Sequence, residues 1–83
     1  MSEFKKQLEM AQAFQLELAD VDWVAVVVTS GFAPVLNEGY VSVDVSTYKD
    51  SKPDQHFNLI GSEVTEQALE EIKVKLRDLG YEV

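Results

Sequence analysis

At Trp23–Val28 the chain reads Trp23-Val24-Ala25-Val26-Val27-Val28, six apolar residues in succession. Successive side chains of a β-strand point to opposite faces of a sheet. As a strand, this segment places its even-numbered valines on one face and Trp23, Ala25 and Val27 on the other. Both faces of the strand are therefore apolar, and each needs cover from the rest of the chain or from another molecule.

The composition indicates one small folded domain. The chain has 83 residues, of which 46% are hydrophobic and 27% are charged, proportions that are typical of folded proteins. A chain of this length buries only about 60–65% of the surface that it exposes when unfolded. We therefore assign residues 1–83 to a single domain with one core.

Nothing in the sequence predicts a cofactor or a metal site. Cysteine is absent, which excludes disulfides and thiolate ligands. The glycines are scattered, each at a position that a turn or a helix cap explains, so no phosphate-binding loop is indicated. We expect a protein without a cofactor.

The net charge limits the classes of molecule that the protein can bind. Fifteen acidic and seven basic residues give a net charge of -8, which opposes attraction to nucleic acid phosphates and to anionic lipids. We therefore expect no direct binding to nucleic acid or to membranes. The N-terminus lacks the apolar stretch of a signal peptide, which predicts a cytoplasmic location. Either solubility or the selection of a basic partner explains the acidity.

Two amphipathic helices flank the strand region. Apolar residues recur every three or four positions between Ser2 and Ala19, the spacing of one helical face. A second helix is predicted after Thr65, which can cap it, and ends near Gly80, which suits a left-handed C-terminal position. Its apolar residues are Leu69, Ile72, Leu76 and Leu79.

Two further strands are predicted between these helices. Tyr40–Tyr48 alternates between valine and polar residues, and His56–Ile60 follows a polar turn. Tyr81–Val83 either packs back on the fold or forms a short fourth strand beside the first. The order helix, strand, strand, strand, helix predicts an α+β two-layer sandwich with an antiparallel sheet.

This element order resembles that of double-stranded RNA-binding domains. Those domains place lysines at the start of the second helix to contact phosphates, whereas this chain has Glu63 and Glu66 there. The similarity is confined to the order of elements, and the charges predict that RNA is not the partner.

His56 is the one histidine of the chain and the first candidate for catalysis. Asp54, two residues earlier, could orient it as a general base. No serine or threonine nearby stands in a recognisable nucleophile context, and a catalytic site needs several groups in defined roles. We therefore expect a surface histidine and a protein that is not an enzyme.

Carboxylates gather at two places. Glu17, Asp20 and Asp22 surround the end of the first helix, where negative charge meets the negative end of the helix dipole. This arrangement fits a solvated junction better than a cation site, because calcium loops need denser oxygen ligands. The second helix carries a larger acidic surface, formed by Glu63, Glu66, Glu70 and Glu71.

Two interpretations of the second helix remain open. Basic residues in its last turns supply salt partners, so an ordinary exposed helix face accounts for the acidic surface. The alternative is an acidic inhibitor that imitates nucleic acid and binds the basic groove of a nucleic-acid-binding protein.

The most suggestive surface combines the apolar strip with the connection that follows it. If both helices cover one sheet face, the strip lies open on the other, and an open tryptophan strip marks an interface. Alternatively, the connection between Ser30 and Gly39 folds over the strip, or the first helix crosses to that face. Our leading hypothesis is a non-enzymatic protein–protein interaction module that is homodimeric through Trp23, Ala25, Val27, Phe32, Val35 and Leu36.

Overall fold

The structure is a computed structural model that describes residues 2–35 and 38–83. Its elements in chain order are α1 (Ser2–Glu17), β1 (Val24–Ala33), β2 (Glu38–Lys49), β3 (Lys52–Ile60), a 3-10 turn (Gly61–Glu63) and α2 (Glu66–Asp78). The strands form one antiparallel sheet in the order β1-β2-β3. The predicted α+β fold with an antiparallel sheet is confirmed.

Valines of the central strand form the floor of the core. Val41, Val43 and Val45 have no exposed surface. Directly paired residues of neighbouring strands point to the same face, so the partners of these valines line that face too. The partners that pack on the core are Val26, Val28, Phe57 and Leu59.

Both helices cover this one face of the sheet. Their buried residues are Ala11 and Phe14 from α1 and Leu69, Ile72 and Leu76 from α2, and Leu18, directly after α1, is buried with them. Gln7 Nε2 donates to the carbonyls of Gly61 at 2.9 Å and of Val64 at 3.2 Å, which fixes α1 against the segment that precedes α2. Neither helix crosses to the second face, so the β1 side chains on that face stay exposed.

Both ends of α2 are as the sequence predicts. Thr65 Oγ1 accepts a hydrogen bond from the main-chain N–H three residues later, at 3.1 Å. At the other end Gly80 has a φ of 102°. The N–H of Gly80 donates to the carbonyl of Arg77, and that of Tyr81 to Leu76, both at 3.0 Å. These two bonds form a Schellman motif, which satisfies carbonyls of the last turn.

The chain beyond Gly80 is not a strand. Tyr81 and Val83 pack against the core, and Arg77 Nε donates to the Val83 carbonyl at 2.8 Å. The optional fourth strand at Tyr81–Val83 is therefore wrong, because the left-handed turn and the Arg77 bond hold this tail against α2. In the described part of the chain β1 has one strand neighbour and is an edge strand.

The β1–β2 hairpin is longer than the sequence predicts. β1 begins one residue after Trp23 and continues to Ala33, so part of the expected connection is paired strand. Aromatic rings lie over its two glycines: a Cβ on Gly31 would stand 3.2 Å from the Tyr40 ring, and one on Gly39 would stand 2.9 Å from the Phe4 ring. Rings that cover glycines support them within strands, where the sequence alone indicates turns.

β3 also begins earlier than predicted, at Lys52 instead of His56. Asp50 and Ser51 have φ values of 54° and 66°. Two successive positive φ angles are those of a type I′ turn, whose twist matches that of the strands it joins. The turn is therefore tight, and pairing starts directly after it.

Candidate interaction surfaces

The free edge of β1 is the first candidate surface. The strand has ten residues and none is charged. Gln15 Nε2 donates to the Val26 carbonyl at 2.9 Å, which shows that this carbonyl points away from β2. Main-chain groups alternate in direction along an antiparallel strand. The main-chain groups of every second residue after Val26 therefore also point away from β2. These residues are Val28, Ser30 and Phe32.

The two edges of the sheet differ in protection. The Gln15 bond is the one side-chain hydrogen bond to β1 among the described residues, so the strand beyond Val26 is uncapped. β3, at the other edge, carries Lys52, Pro53 and Asp54. Charged residues and proline on an edge strand hinder pairing with a further strand. β3 is thus protected against association, and β1 is not.

The sheet face opposite the helices is exposed and largely polar. Ala25 is exposed and Val27 is 54% exposed on its β1 side. At its centre Asp44 Oδ1 lies 2.9 Å from His56 Nε2 and accepts a hydrogen bond from Asn58 Nδ2, also at 2.9 Å. The apolar part of this face is therefore a narrow strip beside the β1 edge.

Trp23 and Phe32 do not belong to one surface. Trp23 precedes β1, and Phe32 stands near the end of that strand, roughly 30 Å away at the rise of an extended chain. Alternation along the strand also places Phe32 on the same side as Val26 and Val28, the side that the helices cover. Trp23 is 61% exposed and Phe32 is 59% exposed, but they are exposed at opposite ends of the molecule.

The other predicted interface residues fall into separate places. Ala25 and Val27 lie together on the open face. Val35 is 96% exposed in the connection between β1 and β2. Leu36 lies outside the described residues. The structure therefore brings together two of the predicted residues, and the surface they share continues toward the β1 edge.

Three residues of the predicted acidic surface lie on α2, whereas Glu63 lies in the 3-10 turn before that helix, and part of the surface forms bonds within the chain. Glu63 Oε1 accepts a hydrogen bond from the Ile60 N–H at 2.9 Å. Glu71 Oε2 accepts one from Gln67 at 3.4 Å. Glu66 is the first residue of α2 and forms no side-chain hydrogen bond with the other described residues.

Glu70 takes part in an ion-pair network that joins the helices. It lies 3.2 Å from Lys73 Nζ and 3.9 Å from Arg77, and Lys73 Nζ also contacts Glu17 at 3.1 Å. The hydrogen bond with Glu17 raises the pKa of the Lys73 ammonium against the opposing effect of burial, and Glu70 adds to the rise. Through Lys73, Glu17 and Glu70 therefore connect α1 and α2. The ion pairs explain why carboxylates stand at these two positions without a partner protein.

His56 is an exposed residue of the open sheet face. Its partner is Asp44 and not the predicted Asp54, and its side chain is 59% exposed. Ser46 stands opposite it on β2, and both residues lie on the sheet face away from the helices. Among the described residues no group of three or more potential ligands could hold a metal ion.

No known protein family, curated protein or solved structure gives a significant match to this chain. Within the described ranges, neither helix is long and apolar enough to cross a membrane.

The part of the β1 edge around Val28 and Ser30 is not predicted from the sequence, because Ser30 and Gly31 are typical of the start of a loop. A signal for it is present, since no charged residue stands between Asp22 and Glu38. An uncharged segment of that length in a chain of net charge -8 marks a candidate interaction surface.

Proposed function

We propose that this protein is a non-enzymatic interaction module that forms a homodimer by pairing β1 with β1 of a second copy. The proposal is carried by one observation, the outward main-chain groups of an uncharged edge strand from Val28 to Phe32. Unpaired donors and acceptors at a sheet edge readily pair with a further strand. The sheet of each copy then continues into that of the other.

A second copy fits this edge because antiparallel pairing about Ser30 is self-complementary. Ser30 then stands opposite Ser30 of the second copy, and Val28 stands opposite Phe32, so one two-fold axis generates the same bonds on both sides. The absence of charge on β1 also matters. Two molecules of net charge -8 repel each other over most of their surface, and they meet at β1 without placing carboxylates face to face.

The extent of pairing is limited by Gln15. Its amide occupies the Val26 carbonyl, so main-chain pairing begins at Val28. The exposed side chains of Val27 and Phe32 add apolar contact beside the axis. An interface of this size stays below roughly 1,200 Å², and we expect a dissociation constant on the order of micromolar.

Substitutions that introduce a charge at the two-fold axis test the proposal. Ser30→Lys and Ser30→Glu each place like charges directly opposite one another in the dimer, and such pairs are destabilising. Light scattering after size exclusion, over a range of concentrations, should show that each variant is monomeric where the wild type is dimeric. An equimolar mixture of the two should associate again, because lysine then faces glutamate.

Gln55→Lys is the matched control, since Gln55 is exposed on β3, at the opposite edge of the sheet. This variant should dimerise as the wild type does. A wild type that stays monomeric up to millimolar concentration, or a dimer unaffected by both Ser30 variants, would show that β1 does not pair with itself.

The other functions remain predictions from the sequence. An acidic inhibitor that uses Glu63, Glu66, Glu70 and Glu71 gains no support from the contacts of these residues, because three of them bond within the chain. Another protein as the partner of β1, the cytoplasmic location, and the lack of binding to nucleic acid and membranes are likewise predictions.

A further inference from the structure

A second exposed surface lies at the end of the molecule that carries Trp23, away from the part of β1 proposed to pair. Two clefts of about 340 and 400 Å³ meet there, and both are lined by Trp23 and Tyr81. Trp23 is 61% exposed, although a tryptophan is usually well covered within its own chain. We call this surface the Trp23 end, formed by Trp23, Tyr81 and the acidic residues around them.

The aromatic residues of the Trp23 end are held by the main chain of one residue. The N–H of Tyr48 donates to the Trp23 carbonyl at 2.9 Å. The carbonyl of Tyr48 accepts a hydrogen bond from Tyr81 Oη at 3.3 Å. The main chain of Trp23 and the side chain of Tyr81 are thus attached to the end of β2, which fixes the position from which the indole projects before a ligand binds.

Carboxylates surround these rings on both sides. The acidic residues that line the two clefts are Asp20, Asp22, Asp50, Asp54 and Glu82, and the basic one is Lys49. Among the described residues, none of the five carboxylates lies within ion-pair distance of a basic side chain. The acidic residues that do form ion pairs in the described part of the chain are Asp44, Glu17 and Glu70. The Trp23 end is therefore an aromatic surface with a net negative charge, because five carboxylates and one lysine line it.

We infer that the Trp23 end binds an arginine side chain from a basic segment of a partner protein. Tryptophan is the strongest aromatic partner of a cation. A guanidinium is planar, so it can stack on the indole while its N–H groups donate to carboxylates beside it. The clefts on either side of Trp23 give room for the arginine and for the residues next to it.

A second copy of the chain does not fit this surface. Two Trp23 ends brought together would place ten carboxylates in one interface, and like charges across an interface are strongly unfavourable. The charge complementarity points instead to a cationic partner. This binding is separate from β1 pairing, and a monomer retains the whole site.

The protein contains one tryptophan, so its fluorescence reports directly on this site. The probe is an unstructured peptide with three arginines separated by glycines, and its control is the same peptide with citrulline in place of arginine. Citrulline keeps the shape and removes the charge. We expect a saturable change in the emission of Trp23 with the arginine peptide, weakening as salt is added, and no change with the citrulline peptide.

Two charge-matched variants locate the binding. Asp22→Asn/Asp54→Asn and Glu66→Gln/Glu71→Gln each remove two negative charges, the first at the Trp23 end and the second on α2. The first should weaken peptide binding about fivefold or more, from the loss of two surface charge pairs, and the second should leave it within about twofold of the wild type. Trp23→Ala, followed by calorimetry, should weaken it roughly tenfold.

Equal weakening by the two double variants would overturn the inference, because the peptide would then be attracted by net charge alone. Binding of the citrulline peptide would overturn it as well, and so would unchanged affinity of Trp23→Ala. Far-ultraviolet circular dichroism of each variant confirms that the fold is retained. All substituted residues are exposed, so the variants are expected to fold.

Discussion

Lys73 forms ion pairs with one residue of each helix. Its side chain is 15% exposed, while its partners Glu17 and Glu70 are more than half exposed. The partners are separated from it by very different distances along the chain, since Glu17 belongs to α1 and Glu70 lies one turn earlier on α2. A surface pair of this kind contributes little by itself, but Lys73 also packs its aliphatic stem between the helices.

Lys73→Met keeps most of the stem and removes the charge. We expect it to lower the free energy of unfolding by about 0.5–1 kcal/mol, because both partner carboxylates are solvated and a partly exposed ion pair is screened. Urea unfolding followed by circular dichroism measures the change. Lys5→Met, an exposed position on α1, makes the same change in charge and should alter stability by no more than a few tenths of a kcal/mol.

The contribution of Lys73 to the free energy of unfolding should also decrease at high pH. Its pKa is raised in the folded protein, so the folded state holds this proton more tightly than the unfolded state does. The stabilisation is therefore complete below the unfolded pKa of about 10.4 and decreases as pH rises through the folded pKa. The stability difference between wild type and Lys73→Met should be constant from about pH 7 to 9 and should shrink above about pH 10.5.

Gly39 shows how closely α1 approaches the hairpin. A Cβ at this position would stand 2.9 Å from Cδ1 of Phe4, so Gly39→Ala must displace the ring. We expect a loss of about 1–2 kcal/mol, typical of an overpacked contact. In a Phe4→Leu background, Gly39→Ala should change the free energy of unfolding very little. This non-additivity in a double-mutant cycle separates a clash with Phe4 from an unfavourable effect of alanine on the strand itself. Simple additivity of the two changes would contradict the contact.

At the scale of elements, periodicity and caps predicted most of the fold. The apolar spacing of both helices, the Thr65 cap and the left-handed Gly80 are local features, and each is seen in the structure. The alternation of β2 is local too. These elements could be predicted because the residues that determine them lie within a few positions of one another.

The extents of β1 and β3 could not be predicted in the same way. Gly31 and Gly39 are strand residues because the rings of Tyr40 and Phe4 lie over them, and the Phe4 contact joins residues that are far apart in the chain. Likewise, strict alternation places Trp23 on the β1 strip, but its φ of 67° removes it from that pattern. Contacts between distant residues and a single unusual dihedral angle leave no periodic signal.

The same limits apply to the candidate surfaces. The apolar, uncharged region is evident from the sequence, and the structure places Val27 and Phe32 of that region on β1. The sequence does not reveal which main-chain groups point outward, because that direction depends on the register with β2. The separation of Trp23 from Phe32 also follows only from the length of β1.

At the scale of the whole molecule, the net charge of -8 opposes folding into a small volume. The described part of the chain contains few ion pairs to offset it, and Lys73 and Arg77 provide most of them. Self-repulsion of this kind is screened by salt. Stability should therefore respond to ionic strength more than it does in a neutral protein of equal size.

We expect the thermal midpoint at low protein concentration to rise by roughly 2–6 °C between about 10 and 300 mM sodium chloride, equivalent to about 0.5–1 kcal/mol. Glu66→Gln/Glu71→Gln, with less charge to screen, should respond less. Scanning calorimetry in sodium chloride and in an equal concentration of a second neutral salt checks the effect. A midpoint that falls with salt would mean that the pairs of Lys73 outweigh the general repulsion.

The lysine, proline and aspartate at the start of β3 have a consequence for how far assembly can proceed. When two copies join through β1, the unprotected edge of each is consumed, and the combined six-stranded sheet ends in β3 on both sides. Neither end offers a template for a third molecule. If the proposed dimer forms, growth by strand addition would terminate at two subunits, and this would keep a chain with so long a valine-rich segment from forming fibrils.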